Sequence, residues 1–133
     1  MIVADTNLIA YLLILGQYSN EAESVYIKDP QWVAPLLWRS EFRNILAFYV
    51  RRELMDLNDA YGTMEQAERL MRGQEFEIVS ARVLRLAATS GCSAYDCEFV
   101  ALAQGLGVTM VTSDRILVAR FKPTVSSTRE FCS

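Results

Sequence analysis

Histidine is absent from all 133 residues, and that absence removes several chemistries at once. Ser-His-Asp and Cys-His catalysis, paired-histidine phosphodiester cleavage and histidine-bound zinc are excluded. Acid–base work is left to carboxylates, Lys, Tyr, Cys or metal-bound water. Cysteine is scarce: Cys92, Cys97 and Cys132 show no C-x-x-C spacing and read as reduced thiols that mostly pack. No apolar run approaches the roughly 20 residues that span a bilayer. A basic n-region and a small-residue cleavage site are both missing, so no secretory signal is expected. The expectation is a cytoplasmic protein with no membrane association. Lysine is rare as well, with Lys28 and Lys122 alone among 13 basic residues. The arginine excess suits bidentate contacts to phosphate or carboxylate, or reflects genomic bias.

What is present is apolar. Hydrophobic residues make up 52% of the chain, too many for disorder, and the length suits one domain, 1–133, with a genuine core. The net charge of −3 argues against a general nucleic-acid coating protein but not against an enzyme with an acidic site.

Short apolar runs alternate with helical periodicity. Strands are expected at residues 1–5, 32–34, 76–79 and 108–112, with an edge strand within 123–131. Helices are expected at 6–15, 19–28, 35–53 (opened by Pro35), 57–72, 80–89, 94–104 and 114–120. Ser93 is placed to cap the helix at 94–104. Strand–helix alternation predicts an α/β fold: a three-layer α/β/α sandwich around a central, mostly parallel sheet. Ligands of such sheets bind beyond the carboxyl ends of the strands.

Four acidic residues stand where folding alone gives little reason for a charge. Asp5 ends an apolar run, and Asp114 follows the strand at 108–112. Each also reads as a helix cap. Asp5 is followed by two further capping types, Thr6 and Asn7, which leaves its carboxylate spare for a ligand. Asp96 opens an apolar helix on the face of Phe99, Val100 and Ala103; its bland reading is a capping box with Ser93. Glu98 points to the other side of that helix and reads as outer-shell or structural. Glu41 shares a stripe with Leu37, Ile45 and Phe48, where the alternative is a buried ion pair, with Arg52 as the partner. Two like charges about 5 Å apart repel by ~3 kcal/mol at an effective dielectric near 20. Convergence of all four therefore requires protons, Arg or metal ions. Mg²⁺ or Mn²⁺ fits best, because both take hard oxygen ligands and need no His or Cys.

The segments D-T-N at 5–7, S-E-F-R-N-I-L at 40–46, S-A-Y-D-C-E-F-V-A-L-A at 93–103 and V-T-S-D at 111–114 together resemble the PIN-domain family. Within it they are most similar to VapC-type toxins of toxin–antitoxin pairs. The resemblance spans essentially the whole chain. It implies a metal-dependent endoribonuclease, with Asp5, Glu41, Asp96 and Asp114 as its acidic quartet. Thr6 or Asn7, Asn44 and Ser113 match the supporting polar positions. It further implies an RNA substrate, a homodimer, and a small antitoxin lying across the active site. Asp5 and Asp96 are the best metal ligands, completed by Asp114, and Glu41 binds metal or orients the attacking water. Arg43 and Arg115 are candidate substrate contacts. Two other readings stay open: a PIN-like RNA-processing nuclease outside a toxin pair, and a non-catalytic PIN-like interaction module. A haloacid-dehalogenase-like phosphotransferase fits poorly, since it wants an acid where Asn7 stands. A phospho-receiver domain lacks its lysine after a late strand.

Overall fold

The computed structural model describes residues 1–133. Five strands form one sheet in the order β3-β2-β1-β4-β5, and every pairing is parallel. The strands are β1 (Ile2–Ala4), β2 (Trp32–Pro35), β3 (Glu75–Phe76), β4 (Thr109–Thr112) and β5 (Val125–Ser127). Eight helices connect and cover them: α1 (Thr6–Leu13), α2 (Ser19–Lys28), α3 (Trp38–Arg51), α4 (Leu57–Leu70), α5 (Ser80–Ser90), α6 (Ala94–Leu106), α7 (Arg115–Arg120) and α8 (Thr128–Cys132). The result is a three-layer α/β/α fold, and its sheet is wholly rather than mostly parallel.

The central strand shows why the first residues are so apolar. Ile2, Val3 and Ala4 are all buried, because parallel sheets are covered on both faces and leave no side for water. Helix α6 lies against β1, β2 and β4, with α5 packed on it, while α1, α3 and α4 pack on one another. Burial along α6 is nearly continuous from Phe99 to Ala103, as the sequence of that helix demands. Gly107 ends it with φ +68°, a left-handed turn that side chains disfavour and glycine accepts. The chain then re-enters the sheet as β4. No helix is long and apolar enough to cross a membrane.

Two expectations are corrected. Pro35 ends β2 rather than opening α3, which begins at Trp38. Its missing N–H costs nothing there: the amides of Ala34 and Leu36 bond the carbonyls of Gln74 and Phe76, and the β1 pairing ends at Val33. The strand expected at 76–79 is only Glu75–Phe76. Ile78 and Val79 turn instead into the start of α5, and Val79 is largely exposed. The edge strand expected within 123–131 is β5, and it is followed by α8, whose first turn is capped by the Ser127 hydroxyl accepting from the Glu130 amide. That cap ends the strand.

Register positions the site. Ile2, Val3 and Ala4 pair with Thr109, Met110 and Val111. One step further, Asp5 and Thr112 stand abreast where both strands finish.

Candidate active site

The carboxyl ends of β1 and β4 open into a cavity of about 250 Å³. Asp5, Glu41, Asp96 and Asp114 all line it, together with Thr6, Asn7 and Asn44 and an apolar floor that includes Ile45, Phe99 and Met110. Four segments remote in sequence thus bring their acids to one place. Each acid also sits at a helix start. Asp5 is the N-cap of α1 and Asp114 that of α7, while Glu41 and Asp96 lie in the first turns of α3 and α6. The positive ends of the helix dipoles make these positions tolerable for anions.

The capping readings of Asp5 and Asp114 hold alongside their place in the cavity. One oxygen of Asp5 accepts from the Leu8 amide at 2.8 Å, and the other accepts from the Thr112 hydroxyl. A single oxygen of Asp114 takes both the Ile116 and Leu117 amides, at 2.9 and 3.2 Å. Its second oxygen remains for a ligand. The capping box at Asp96 is half made: Ser93 Oγ accepts from the Asp96 amide at 3.1 Å, yet the Asp96 carboxylate takes no backbone amide in return. Glu41 has no cationic partner. Its Oε1 accepts from the Thr6 hydroxyl at 2.7 Å, and Arg52 instead lies over the Phe48 ring. The three ion pairs of the protein join Met1 to Asp29 and Arg39 to Glu68 and Glu75. None neutralises the acidic cavity.

The electrostatic consequence is visible in the acids themselves. Burial pushes the Asp5 carboxyl up from 3.8 to about 6, offset by the bonds from Thr112 and Leu8 and augmented by the charges of Glu41 and Asp114. Glu41 is raised by burial, and then by Asp96 and Glu98, against the Thr6 bond. Asp96 is raised by burial, with Ser93 opposing and Asp114 adding. The mutual repulsions close a ring: Asp5 with Glu41, Glu41 with Asp96, Asp96 with Asp114, Asp114 with Asp5. Glu98 is itself raised by burial, and its charge reaches Glu41. Although on another side of α6, it belongs to the same electrostatic neighbourhood.

The donor set is all oxygen, which suits a hard divalent cation. No group of three acidic or cysteine side chains is arranged to hold one ion jointly. The Asp96 carboxylate and the second oxygens of Glu41 and Asp114 accept no hydrogen bond from the protein.

The other candidates divide. Thr6, Asn7 and Asn44 line the cavity. Ser113 and Arg115 instead line a separate hollow with Lys122 and Ser127, because Ser113 follows Thr112 by one residue at the strand end and faces the other way. Arg43 is exposed and borders neither. It stands two residues from Glu41, about 200° around the helix. One contributor was not singled out from the sequence. Thr112, fully buried, donates to Asp5 and accepts from the Asp114 amide at 3.0 Å. It thereby ties the two strand ends together. Its signal was weak, since a threonine closing a β-like run is what strand propensity alone would supply.

Thr112→Val, which keeps the shape and removes the hydroxyl, is expected to destabilise the protein by about 1–3 kcal/mol, because Asp5 and the Asp114 amide both lose a partner. Thr112→Ser should recover most of it. Urea denaturation of both variants measures the difference, and equal loss in the two would mean that methyl packing, not the hydroxyl, matters there.

No protein-family model matches the chain. Among curated proteins it is similar to Ribonuclease VapC3 of Pyrobaculum aerophilum, 27% identical over 128 residues that cover 94% of this chain and 98% of the relative. A crystal structure of a protein from the same organism superposes with a TM-score of 0.77 at 20% identity, covering 98% of this chain and 85% of the other. A toxin–antitoxin complex from Klebsiella pneumoniae matches with a TM-score of 0.70 at 17% identity, over 96% and 98% of the two chains. FitAcB from Neisseria gonorrhoeae matches with a TM-score of 0.70 at 17% identity, over 97% and 99%.

Proposed function

We propose that this chain, which is similar to a VapC ribonuclease and shares its fold with toxin–antitoxin proteins, is a PIN-domain protein: a metal-dependent endoribonuclease and the toxin of a type II toxin–antitoxin pair. The observation that carries the reading is the convergence of four carboxylates on one cavity with no guanidinium or ammonium to neutralise them. Such a cavity is disfavoured as a purely structural feature. It becomes favourable when a divalent cation enters with a phosphodiester.

Asp96 and Asp114 would hold Mg²⁺ or Mn²⁺, with Asp5 and Glu41 supplying further negative charge in the same cavity. When bound, the ion supplies Lewis acidity toward a phosphoryl oxygen and offsets the charge of the phosphate. The chain's own residues do the rest. Asp5 is oriented by Leu8 and Thr112, and so presents its charge in a fixed direction. Thr6 fixes one oxygen of Glu41 and leaves the other to orient the attacking water and accept its proton. Burial raises Glu41 toward the range where a carboxylate serves as a base. Asn7 and Asn44, both exposed at the cavity mouth, offer amide groups to the phosphate or ribose. The first-turn amides of α1, α3 and α6 favour the same anion. Hydrolysis by external water leaves a 5′-phosphate and a 3′-hydroxyl.

The relative named a ribonuclease supports the RNA substrate. The toxin–antitoxin structure that shares the fold supports a small antitoxin as partner. The resemblance adds that the antitoxin lies across the cavity and that the protein is a homodimer. Incubation of the purified protein with single-stranded RNA in Mg²⁺, Mn²⁺ or EDTA tests the activity. Cleavage is expected in the metals and absent in EDTA, with 5′-phosphate ends on the products. Equal cleavage in EDTA overturns the assignment. Growth arrest on expression, relieved by the product of an adjacent small reading frame, tests the toxin role. Cleavage without arrest would instead place the protein in RNA processing.

A further inference from the structure

A second cavity, of about 220 Å³, adjoins the acidic one, and the two share Asn7 and Ile45 as lining residues. Its walls differ from those of its neighbour. It contains no acidic or basic residue, and three tyrosines, Tyr11, Tyr18 and Tyr49, border it. The Tyr11 and Tyr18 rings stand 4.9 Å apart, tilted by 42°. Tyr49 packs edge-on to Phe48 with centroids at 6.1 Å, and Phe48 in turn carries the Arg52 guanidinium 4.7 Å above its ring. Phe48 is 45% exposed and Tyr18 44% exposed. Arg52 is exposed and makes no ion pair.

These groups fall into order along one side of α3 and its C-cap. Glu41, Asn44, Ile45, Phe48, Tyr49 and Arg52 recur at spacings of three and four, which is a single helical face. From one end to the other that face reads acid, amide, aliphatic, aromatic, aromatic, guanidinium. It spans roughly 16 Å from Glu41 to Arg52 at 1.5 Å per residue. A purely structural stripe would be covered, yet this one remains open for most of its length. A surface that only docks an apolar segment has no need of an unpaired guanidinium at its far end.

We propose that this cleft is a base-stacking subsite for the RNA strand, in which Tyr49 and the Tyr11–Tyr18 pair receive an unstacked nucleobase next to the scissile phosphate and Arg52 holds a phosphate further along. The proposal rests on the ribonuclease reading of the adjoining cavity and adds to it where the strand runs. Aromatic rings accept the faces of unpaired bases and stacking tolerates many sequences, whereas a duplex keeps its bases stacked internally. A neutral slot suits a base and excludes phosphate, and the lone guanidinium beyond suits phosphate. The substrate is thus single-stranded, entering along α3 from the Arg52 end.

The test is equilibrium binding of a labelled single-stranded RNA to the full-length Asp96→Asn protein, which retains the cleft and should not consume the probe. Tyr49→Leu is expected to weaken binding about tenfold or more. Exposed Tyr61 of α4, which borders neither cavity, gives the control Tyr61→Leu, expected to bind as the parent. Replacing single nucleotides near the cleavage point by abasic sites should find one position where the parent loses affinity and Tyr49→Leu loses no more, since the contact is already gone. Arg52→Gln should lower the slope of log K against log salt by about 0.7, the share of one phosphate on a single strand. Unchanged affinity in Tyr49→Leu, or an unchanged salt slope in Arg52→Gln, overturns the subsite while leaving cleavage by the wild type to speak for the nuclease. Absence of both RNA binding and cleavage overturns the two together. A halved mass of Tyr49→Leu in sedimentation would assign the face to contact between copies of the chain and likewise overturn the proposal.

Discussion

Asp96→Asn is expected to lower RNA cleavage by at least about a hundredfold while leaving the fold intact. The two halves of that expectation have different origins. Structurally, the substitution is mild. The cap of α6 uses the backbone amide of Asp96, not its carboxylate, so Ser93 keeps its bond and no buried donor is orphaned. The change also removes one member of a ring of repelling charges, which relieves Glu41 and leaves Asp114 with one fewer like neighbour. The melting temperature should therefore hold or rise. Functionally, the same carboxylate is the one acid of the four that is not engaged by the backbone or by a threonine. It is the group most free to bind a cation, and loss of one electrostatic stabiliser at a reacting centre commonly costs about 10²–10³ in rate. Single-turnover cleavage beside circular dichroism and thermal melts separates the two effects. A variant that cuts at the wild-type rate would remove Asp96 from the chemistry. A variant that loses activity and unfolds would show a structural role instead.

The second large effect concerns stability against pH in the absence of divalent ions. Asp5 has a folded value of about 6 against an ordinary 3.8. The folded protein thus holds the Asp5 proton more tightly than the unfolded chain does, and between these values the native state carries more protons. Stability then falls as pH rises. Contributed stability is complete below about pH 4 and is lost on passing through about pH 6. The gap corresponds to roughly 3 kcal/mol at pH 7. Glu41, Asp96 and Glu98 are raised as well and act in the same direction. Two groups oppose them. At Asp29 burial is outweighed by bonds from the Met1 ammonium and the Gln31 amide, and Glu75 is held down by Arg39. Their contribution is present above the ordinary carboxylate range and is lost in acid. The metal-free protein should therefore be most stable near pH 4–5, lower than is usual.

Asp5→Asn removes the charge and keeps a capping side chain, since Asn caps about as well as Asp. It is expected to stabilise the metal-free protein at pH 7 by up to about 3 kcal/mol, to flatten its profile between pH 4 and 6, and to abolish cleavage. Urea titrations across pH in EDTA read the first two. Addition of Mg²⁺ or Mn²⁺ should raise wild-type stability at pH 7 in proportion to the logarithm of its concentration and have a smaller effect on the variant. A flat wild-type profile over that interval would mean that Asp5 is better solvated than its place at the strand end implies.

The legibility of the site in the sequence varied from residue to residue. Asp5 and Asp114 were legible because Asp5 directly follows an apolar strand run and Asp114 follows another by one intervening residue, and a parallel sheet collects its functional groups at that edge. Glu41 was legible because a lone acid interrupts an apolar helical stripe. Glu98 was harder. It stands on another side of α6 from Asp96, and only the tertiary fold brings its charge within reach of Glu41. Thr112 was hidden by its own suitability for a strand. Arg115 and Ser113 were drawn in by adjacency to Asp114. Pleating, however, turns Ser113 to the side opposite Thr112, Arg115 already belongs to α7, and both face another hollow. The start of α3 was misplaced because Pro35 is equally at home in the first turn of a helix and at the end of a strand whose neighbour has already stopped pairing.

What the amino-acid order decided by itself is local: which runs are strands or helices, where Ser93 and Asp114 begin their helices, and that four acids interrupt apolar surroundings. These follow from periodicity and capping, which act over a few residues. What only the tertiary structure decided is convergence. The register of β1 on β4 sets Asp5 beside Thr112, and the approach of α3 and α6 to that edge completes the ring of charges and opens the aromatic cleft next to it. Those distances join segments as much as 109 positions apart. They are set by the packing of a shared core, which no short stretch of the chain contains.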